Sequence, residues 1–247
     1  MRAFWKLLFV QGKLFLREPI AAFFTIVFAP MMLVLFGTIY GNAPTPMFGG
    51  KGTVDVSVPA YIGMIIVGVA LISLPIGTTA ARDAGVLRRF RATPLPALTY
   101  LAADVVVYFL MTLLGVIALI LVGTFGYGMH FDGNIFSVLA GFTLSALSFF
   151  SLGYVLASVA PTARVAQTVG MVVAYPMMFL SGAGIPLEIL PENIRSFSRY
   201  IPLTHVVTLM RGLWAGESWG DHLTEVAVLT VTLVVGVILS VRFFRWK

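Results

Sequence analysis

Few residues in this chain are of a kind that does chemistry, and they do not cluster. Asp104 is the one acidic residue inside a long apolar stretch, and an ionisable group at that depth is by default a candidate for ion or proton passage. It also lies within two helical turns of the polar end of its stretch, where a loop arginine or water would give it a structural role instead. The three histidines, His130, His205 and His222, fall in the segments between apolar stretches and read as interface residues rather than metal ligands. Cysteine is absent, which removes disulfides and thiolate metal sites. The run Gly49-Gly50-Lys51-Gly52-Thr53 has the composition of a phosphate cradle but fails its spacing: position 45 is Thr, and Lys51 is followed by Gly rather than Ser or Thr. No His-Glu-x-x-His zinc motif and no Gly-x-Ser-x-Gly nucleophile elbow occurs. The expectation is no catalytic residue and no metal ligand in this chain.

The composition accounts for that scarcity. Hydrophobic residues make up 59% of the chain and charged residues 11%, and the mean hydropathy is +0.98. Soluble domains carry about 25% charge, so the chain reads as an all-α integral membrane protein. Its 247 residues hold about six spans of ~20 residues each and leave little for a soluble domain. The net charge of +6 is not a nucleic-acid footprint, because most of the basic residues can be placed on one side of a bilayer.

The apolar runs define a single transmembrane domain over 1–247, with spans at 20–40, 58–81, 97–125, 135–159, 165–183 and 222–241. Ahead of them, 1–18 is apolar but carries Arg2, Lys6, Lys13 and Arg17. At ~100° per residue these four fall on one arc about 60° wide, the pattern of a helix lying in the interface rather than of a cleaved signal. Phe4, Leu7, Leu8, Leu14 and Phe15 are then expected to face acyl chains, and Glu18-Pro19 ends the helix. Gly63, Gly68 and the Ser145, Ser148, Ser151, Gly153 face of the fourth span permit close helix approach, between copies or within one chain.

With the amino terminus inside, one side collects Arg2, Lys6, Lys13, Arg17, Arg82, Arg88, Arg89, Arg91, Arg164, Arg242, Arg245 and Lys247. Only Lys51, Arg195, Arg199 and Arg211 fall on the other. The Lys and Arg bias therefore predicts a multi-pass protein of the cell membrane with both termini cytoplasmic.

Two connections stand out. Residues 82–96 are basic, and Val86, Leu87 and Phe90 follow helical spacing ahead of the Pro94/Pro96 pair, which predicts a short amphipathic helix. Such a turn either faces a partner or only anchors topology. Residues 184–221 consist of apolar pieces bounded by prolines and too short to cross, with helix starts at Pro191-Glu192 and Pro202. They read as short re-entrant helices in the outer leaflet, shielded by protein.

Gly85 and Thr93-Pro94 in the basic turn, with the series Pro186-Leu187-Glu188-x-Leu190-Pro191, Pro202-Leu203-Thr204-His205 and Arg211-Gly212, resemble the permease subunit of type-2 ABC exporters. The resemblance covers essentially the whole chain, and its carboxy-terminal series is the more specific part. It implies that 82–96 is the coupling segment that docks on a separate ATPase subunit, with Asp83, Gly85, Leu87, Arg88, Arg89, Arg91 and Thr93 as its residues. The family often has a second acidic residue after the glycine, where this chain has Arg88. The resemblance also implies that the interfacial helix touches the ATPase. The outer gate it implies includes Pro186, Glu188, Pro191, Glu192, Pro202, Thr204, His205 and Arg211. ATP and Mg would be held by the partner ATPase, in two copies, and the path completed by a second permease chain, identical or paralogous.

Charge-poor spans favour a hydrophobic or amphipathic substrate, such as a drug, antibiotic or lipid-like molecule, entering from the cytoplasm or inner leaflet. Asp104, Gln167, Tyr175 and Phe179 are the candidate pathway residues, and the last three also suit export of a polysaccharide or lipid-linked glycan. A secondary transporter would place several ionisable groups in its spans, and an intramembrane enzyme would need a catalytic set at membrane depth. Neither is present in the sequence.

Overall fold

In hydrocarbon a backbone amide finds no partner but another backbone group, so uncharged apolar runs close into helices. The computed structural model describes residues 2–85 and 97–243, and among them every regular element is helical. Helix α1 is Arg2–Arg17, and a single turn, Pro19–Ala22, leads into α2, Phe23–Tyr40. Then follow α3 (Thr53–Asp83), α4 (Ala97–Tyr127), α5 (Ile135–Val159) and α6 (Ala163–Leu180). The short α7 (Glu192–Ser198) and α8 (Pro202–Trp214) precede the last span, α9 (Leu223–Phe243). Six of these helices are long and apolar enough to cross a membrane. Leu87, Arg88, Arg89, Arg91 and Thr93, with the amphipathic helix expected around them, lie outside the described residues.

Some boundaries differ from the sequence reading, for local reasons. The second span begins at Thr53 rather than 58, because the Asn42 side chain accepts hydrogen bonds from the Val54 and Asp55 amides, at 3.1 and 3.2 Å. That cap comes from across a loop and lets the helix start five residues early. The fifth span stops at Leu180 instead of 183, where Gly182 turns the chain with φ +87°.

Helix α3 is the axis of the molecule. Of its most apolar 18-residue window 89% is buried, against 11% for the last span, Trp219–Phe243. Residues Val69–Ser73 of α3 form a π turn, and so do Phe23–Val27 of α2. Neighbouring glycines press directly on the carbonyls of these wide turns. A Cβ placed on Gly153 would lie 2.1 Å from the Ala70 oxygen, one on Gly170 2.0 Å from the Leu71 oxygen, and one on Gly115 2.2 Å from the Thr25 oxygen. The small residues of the fourth span thus serve packing within the chain. Ser148 donates to the Leu229 carbonyl at 2.7 Å and Ser151 to the Thr232 carbonyl at 3.3 Å, both on α9.

The end that carries Arg82, Arg164 and Arg242 is the basic end, and the opposite one the far end. At the far end α8 runs beside α3: Leu203 and Val207 near its start lie against Gly63, while Gly133 in the loop after α4 meets Leu213 at its close. Gly63 is ten residues into α3, roughly 15 Å deep at 1.5 Å per residue. Because the Leu71 carbonyl leaves no room for a side chain opposite it, Gly170→Val is expected to destabilise the protein by about 1–3 kcal/mol. A melting curve of the variant in detergent that coincides with the unaltered protein's would show that this contact is not tight.

Candidate functional site

At the basic end, α1 packs on α4. Phe15 is only 6% exposed and meets Tyr108 edge-on at 5.7 Å, so it faces protein and not acyl chains as its place in the sequence suggested. Trp5, Phe9, Val10, Leu14 and Leu16 are the exposed large apolar residues of α1. Gly12 and Phe15 turn inward, and at ~100° per residue this puts the basic arc on the opposite side of the helix. Lys6, Lys13 and Arg17 are accordingly exposed. Tyr108 stands nineteen residues from Tyr127, roughly 28 Å, so α1 lies about one hydrocarbon thickness from the far end.

The last residues of α3 hold the turn between α5 and α6. The Arg82 guanidinium donates to the Ala157 carbonyl at 3.1 Å and to the Ala160 carbonyl, and the Asp83 carboxylate accepts from the Ala163 amide at 3.3 Å. A cation thus meets the carboxy-terminal carbonyls of one helix and an anion the amino-terminal amides of the next, each opposite in sign to the helix end it faces. Asp83 therefore has a partner within its own chain. Gly85 has φ +67° with open space around it, so local backbone geometry is sufficient to call for glycine there.

Asp104 is buried and accepts a hydrogen bond from the Tyr154 hydroxyl at 2.8 Å. Its described partner is a tyrosine of α5 rather than an arginine; Arg82 is engaged elsewhere. Gln167, Tyr175 and Phe179 are all on α6, well apart from Asp104 in role. Helix α6 packs through Ala166, Gly170, Ala174 and Met178. Tyr175 and the exposed Phe179 instead share a face with the exposed Arg164, Thr168 and Val172. Gln167 lines a cavity of about 120 Å³ with Glu18 and Ser73.

At the far end the eight expected gate residues fall in one connected region. Pro186 and Pro191 precede the Leu187–Ile189 turn and α7, Pro202 is the first residue of α8, and Glu192 is exposed in the first turn of α7. Thr204 donates to the Ser198 carbonyl at 2.6 Å and the His205 ring reaches the Arg199 carbonyl at 3.0 Å, so the start of α8 caps the end of α7. Arg211 pairs with Glu188 at 3.0 Å. Burial lowers the pKa of the Arg211 guanidinium, with Glu188 working the other way, and its Nε and Nη2 have no hydrogen-bond partner among the described residues.

Of the eight, Glu188 and Arg211 line a cavity of about 490 Å³ together with Phe48, Asp55, His130, Trp214, Glu217 and His222, and the other six lie outside its lining. His130 is tied to Asp55 at 3.3 Å and His222 to Glu217 at 2.8 Å. Sequence reasoning missed the Arg82 bonds, the Tyr154 partner of Asp104 and the Asn42, Asp55, His130 knot. Each joins residues tens of positions apart, and the only signal in the sequence is a polar residue at the end of an apolar run.

The family description ABC-2 type transporter matches residues 2–214. Nodulation protein J of Rhizobium leguminosarum bv. trifolii is 32% identical over 102 residues, which is 41% of this chain and 39% of that protein. The match thus spans about two fifths of that relative's length. The daunorubicin resistance ABC transporter permease protein DrrB1 of Streptomyces coeruleorubidus is 24% identical over 224 residues, 87% of this chain and 79% of the relative. ABC transporter G family member 20 of Dictyostelium discoideum is 25% identical over 191 residues, covering 77% of this chain and 25% of that protein.

Glu18 sits at the foot of the small cavity beside Gln167, outside the spans, and burial raises its carboxyl above the ordinary value of 4.5. A raised acid favours folding while it is protonated, so this contribution is present below the unfolded pKa and is lost as the pH rises through the folded one. Glu18→Gln is therefore expected to flatten the dependence of the melting midpoint as the pH rises above the ordinary carboxyl value of 4.5 and to raise the midpoint where the carboxyl would be ionised. A lower midpoint at neutral pH would mean that the charged carboxylate has a stabilising partner.

Proposed function

The chain belongs to the ABC-2 type transporter family, and from that premise we propose that it is the membrane-spanning subunit of an ATP-driven exporter for hydrophobic or amphipathic molecules. What carries the reading is the placement of charge. Among the described residues the charged side chains gather towards the two ends and α1: Asp104, four residues beyond Tyr108 on the basic side, is bonded to Tyr154, and no chain of ionisable groups runs through the spans. The driving energy must then be delivered at an end.

The basic end is where an ATPase would be met, through 86–96 and the outward basic arc of α1, with ATP and Mg bound by that partner; Arg82 and Asp83, expected in the docking segment from the sequence, are turned instead to the chain's own turn at 157–163. This end is cytoplasmic in the proposal, by the Lys and Arg bias. A second permease chain, a copy or a paralogue, would close a path against the face of α6 that carries Arg164, Thr168, Tyr175 and Phe179. Amphipathic cargo is supported by the apolar spans and by similarity to a protein named for daunorubicin resistance. Export of a glycan is the second reading, favoured by the aromatic and carboxylate lining of the far-end cavity, Phe48 and Trp214 beside Asp55, Asp132 and Glu217.

Inverted vesicles holding the permease and its ATPase should accumulate daunorubicin only when ATP is supplied. Reversing one charge in a desolvated docking contact costs on the order of 2–5 kcal/mol. Arg88→Glu should then give an inserted protein whose association with the ATPase is weakened at least about tenfold, with accumulation lost. Unchanged association and accumulation would return 86–96 to an anchoring role, and absence of ATP-dependent accumulation in the unaltered complex would overturn drug export.

A further inference from the structure

Arg82 and Asp83 satisfy no need of α3 itself. Their side chains reach across to a turn about 80 residues further along, where Arg82 binds the carbonyls of Ala157 and Ala160 and Asp83 the amide of Ala163. Thr162 already caps the start of α6 through the Val165 amide, so the Asp83 bond comes on top of a local cap. The glycine contacts that hold α5 and α6 to α3 are at Ala70 and Leu71, twelve residues before Arg82 and Asp83 and so roughly 18 Å deeper. Between those levels the Leu74–Asp83 part of α3 also packs on α5 and α6, with Leu74, Thr78 and Thr79 buried, and the two side chains add a polar tie at its last turn.

Position matters as much as bonding. Two residues after Asp83 the chain passes Gly85 and enters 86–96, the segment proposed to meet the ATPase. A displacement arriving at residue 85 acts first on the last turn of α3, beyond the packed Leu74, Thr78 and Thr79. With the guanidinium on the end of α5 and the carboxylate on the start of α6, it moves three helices.

We propose that Arg82 and Asp83 are positioning residues for energy coupling: they make the basic ends of α3, α5 and α6 one rigid body, so that movement of the docking segment reaches the α6 face and the α5–α9 pair together. This rests on the exporter reading above. The two residues act through the turn at 157–163 and touch neither nucleotide nor cargo.

The test uses the complex of the full chain with its ATPase, in inverted vesicles, and compares Arg82→Gln/Asp83→Asn with the unaltered protein. Association with the ATPase, ATP hydrolysis and the melting midpoint are expected to stay unchanged, while daunorubicin accumulated per ATP hydrolysed falls by about tenfold, the scale of one lost charge-assisted hydrogen bond. The cysteine-free chain permits a structural readout alongside. Spin labels at Ala84→Cys and Pro161→Cys should show the same dipolar broadening in the resting and vanadate-trapped complex, and lose it on trapping in the double variant. Accumulation per ATP equal to the unaltered protein's, or broadening that changes on trapping with Arg82 and Asp83 intact, overturns the proposal. A fall in hydrolysis or melting midpoint that parallels the loss of transport overturns it too, in favour of a purely structural tie. Should the double variant fail to insert, Asp83→Ala alone, which removes the one exposed bond to the Ala163 amide, carries the same comparison. An unaltered complex without ATP-driven accumulation defeats the exporter reading and this role with it, whereas an active complex with an equally active variant defeats the role alone.

Discussion

Backbone carbonyls pressed against glycines hold this molecule together. In a bilayer, apolar side chains gain nothing by leaving lipid for protein, so helices associate through close van der Waals packing and polar contacts. Gly153 and Gly170 let α5 and α6 reach the Ala70 and Leu71 oxygens in the π turn of α3, and Gly115 lets α4 reach the Thr25 oxygen in the π turn of α2. Single π turns widen a helix locally and are frequent at functional sites. Here the widened turns coincide with the points of nearest approach. The consequence is a central α3, with α6 and α9 keeping much of their surface open.

From that axis the two ends acquire different characters. At the basic end Arg82 and Asp83 extend the hold of α3 to the next turn, and α1 lies across α4 with its cations turned away from the protein. At the far end α3 is capped by Asn42, Asp55 binds His130, and α8 lies beside the same helix at Gly63. A single helix thus touches the segment proposed to dock the ATPase and the cavity proposed as an exit. Asp104, buried towards the basic end, accepts a hydrogen bond from Tyr154. That arrangement suits a chain moved from outside better than one driven by protons of its own.

How far the sequence could be read follows from whether a signal was local. The helix Ile135–Val159 coincides with an apolar run of the sequence, because Asn134 caps its start and the run ends at Ala160-Pro161. The starts of α7 and α8 were marked by Pro191 and Pro202. The start of α3 was misplaced because its cap, Asn42, lies on the far side of a loop. Phe15 was assigned to lipid because an amphipathic pattern shows that a face is apolar, but not whether lipid or a neighbouring helix covers it. The Asp104 and Tyr154 pair is fifty residues apart in sequence and has no local signature. Most of the expected coupling residues, Leu87 to Thr93, fall outside the described residues, so their contacts remain a reading of the sequence.

The claim on which the rest depends is that α3 is enclosed by protein along its length. A photoactivated diazirine dissolved in the bilayer, followed by peptide mapping, measures lipid contact directly. The account predicts that Ile62, Ile65, Ile66, Val69 and Ile72 stay unlabelled while Val234 and Ile238 of α9 are heavily modified. Labelling of the 62–72 peptide to the level of the α9 peptide would contradict it.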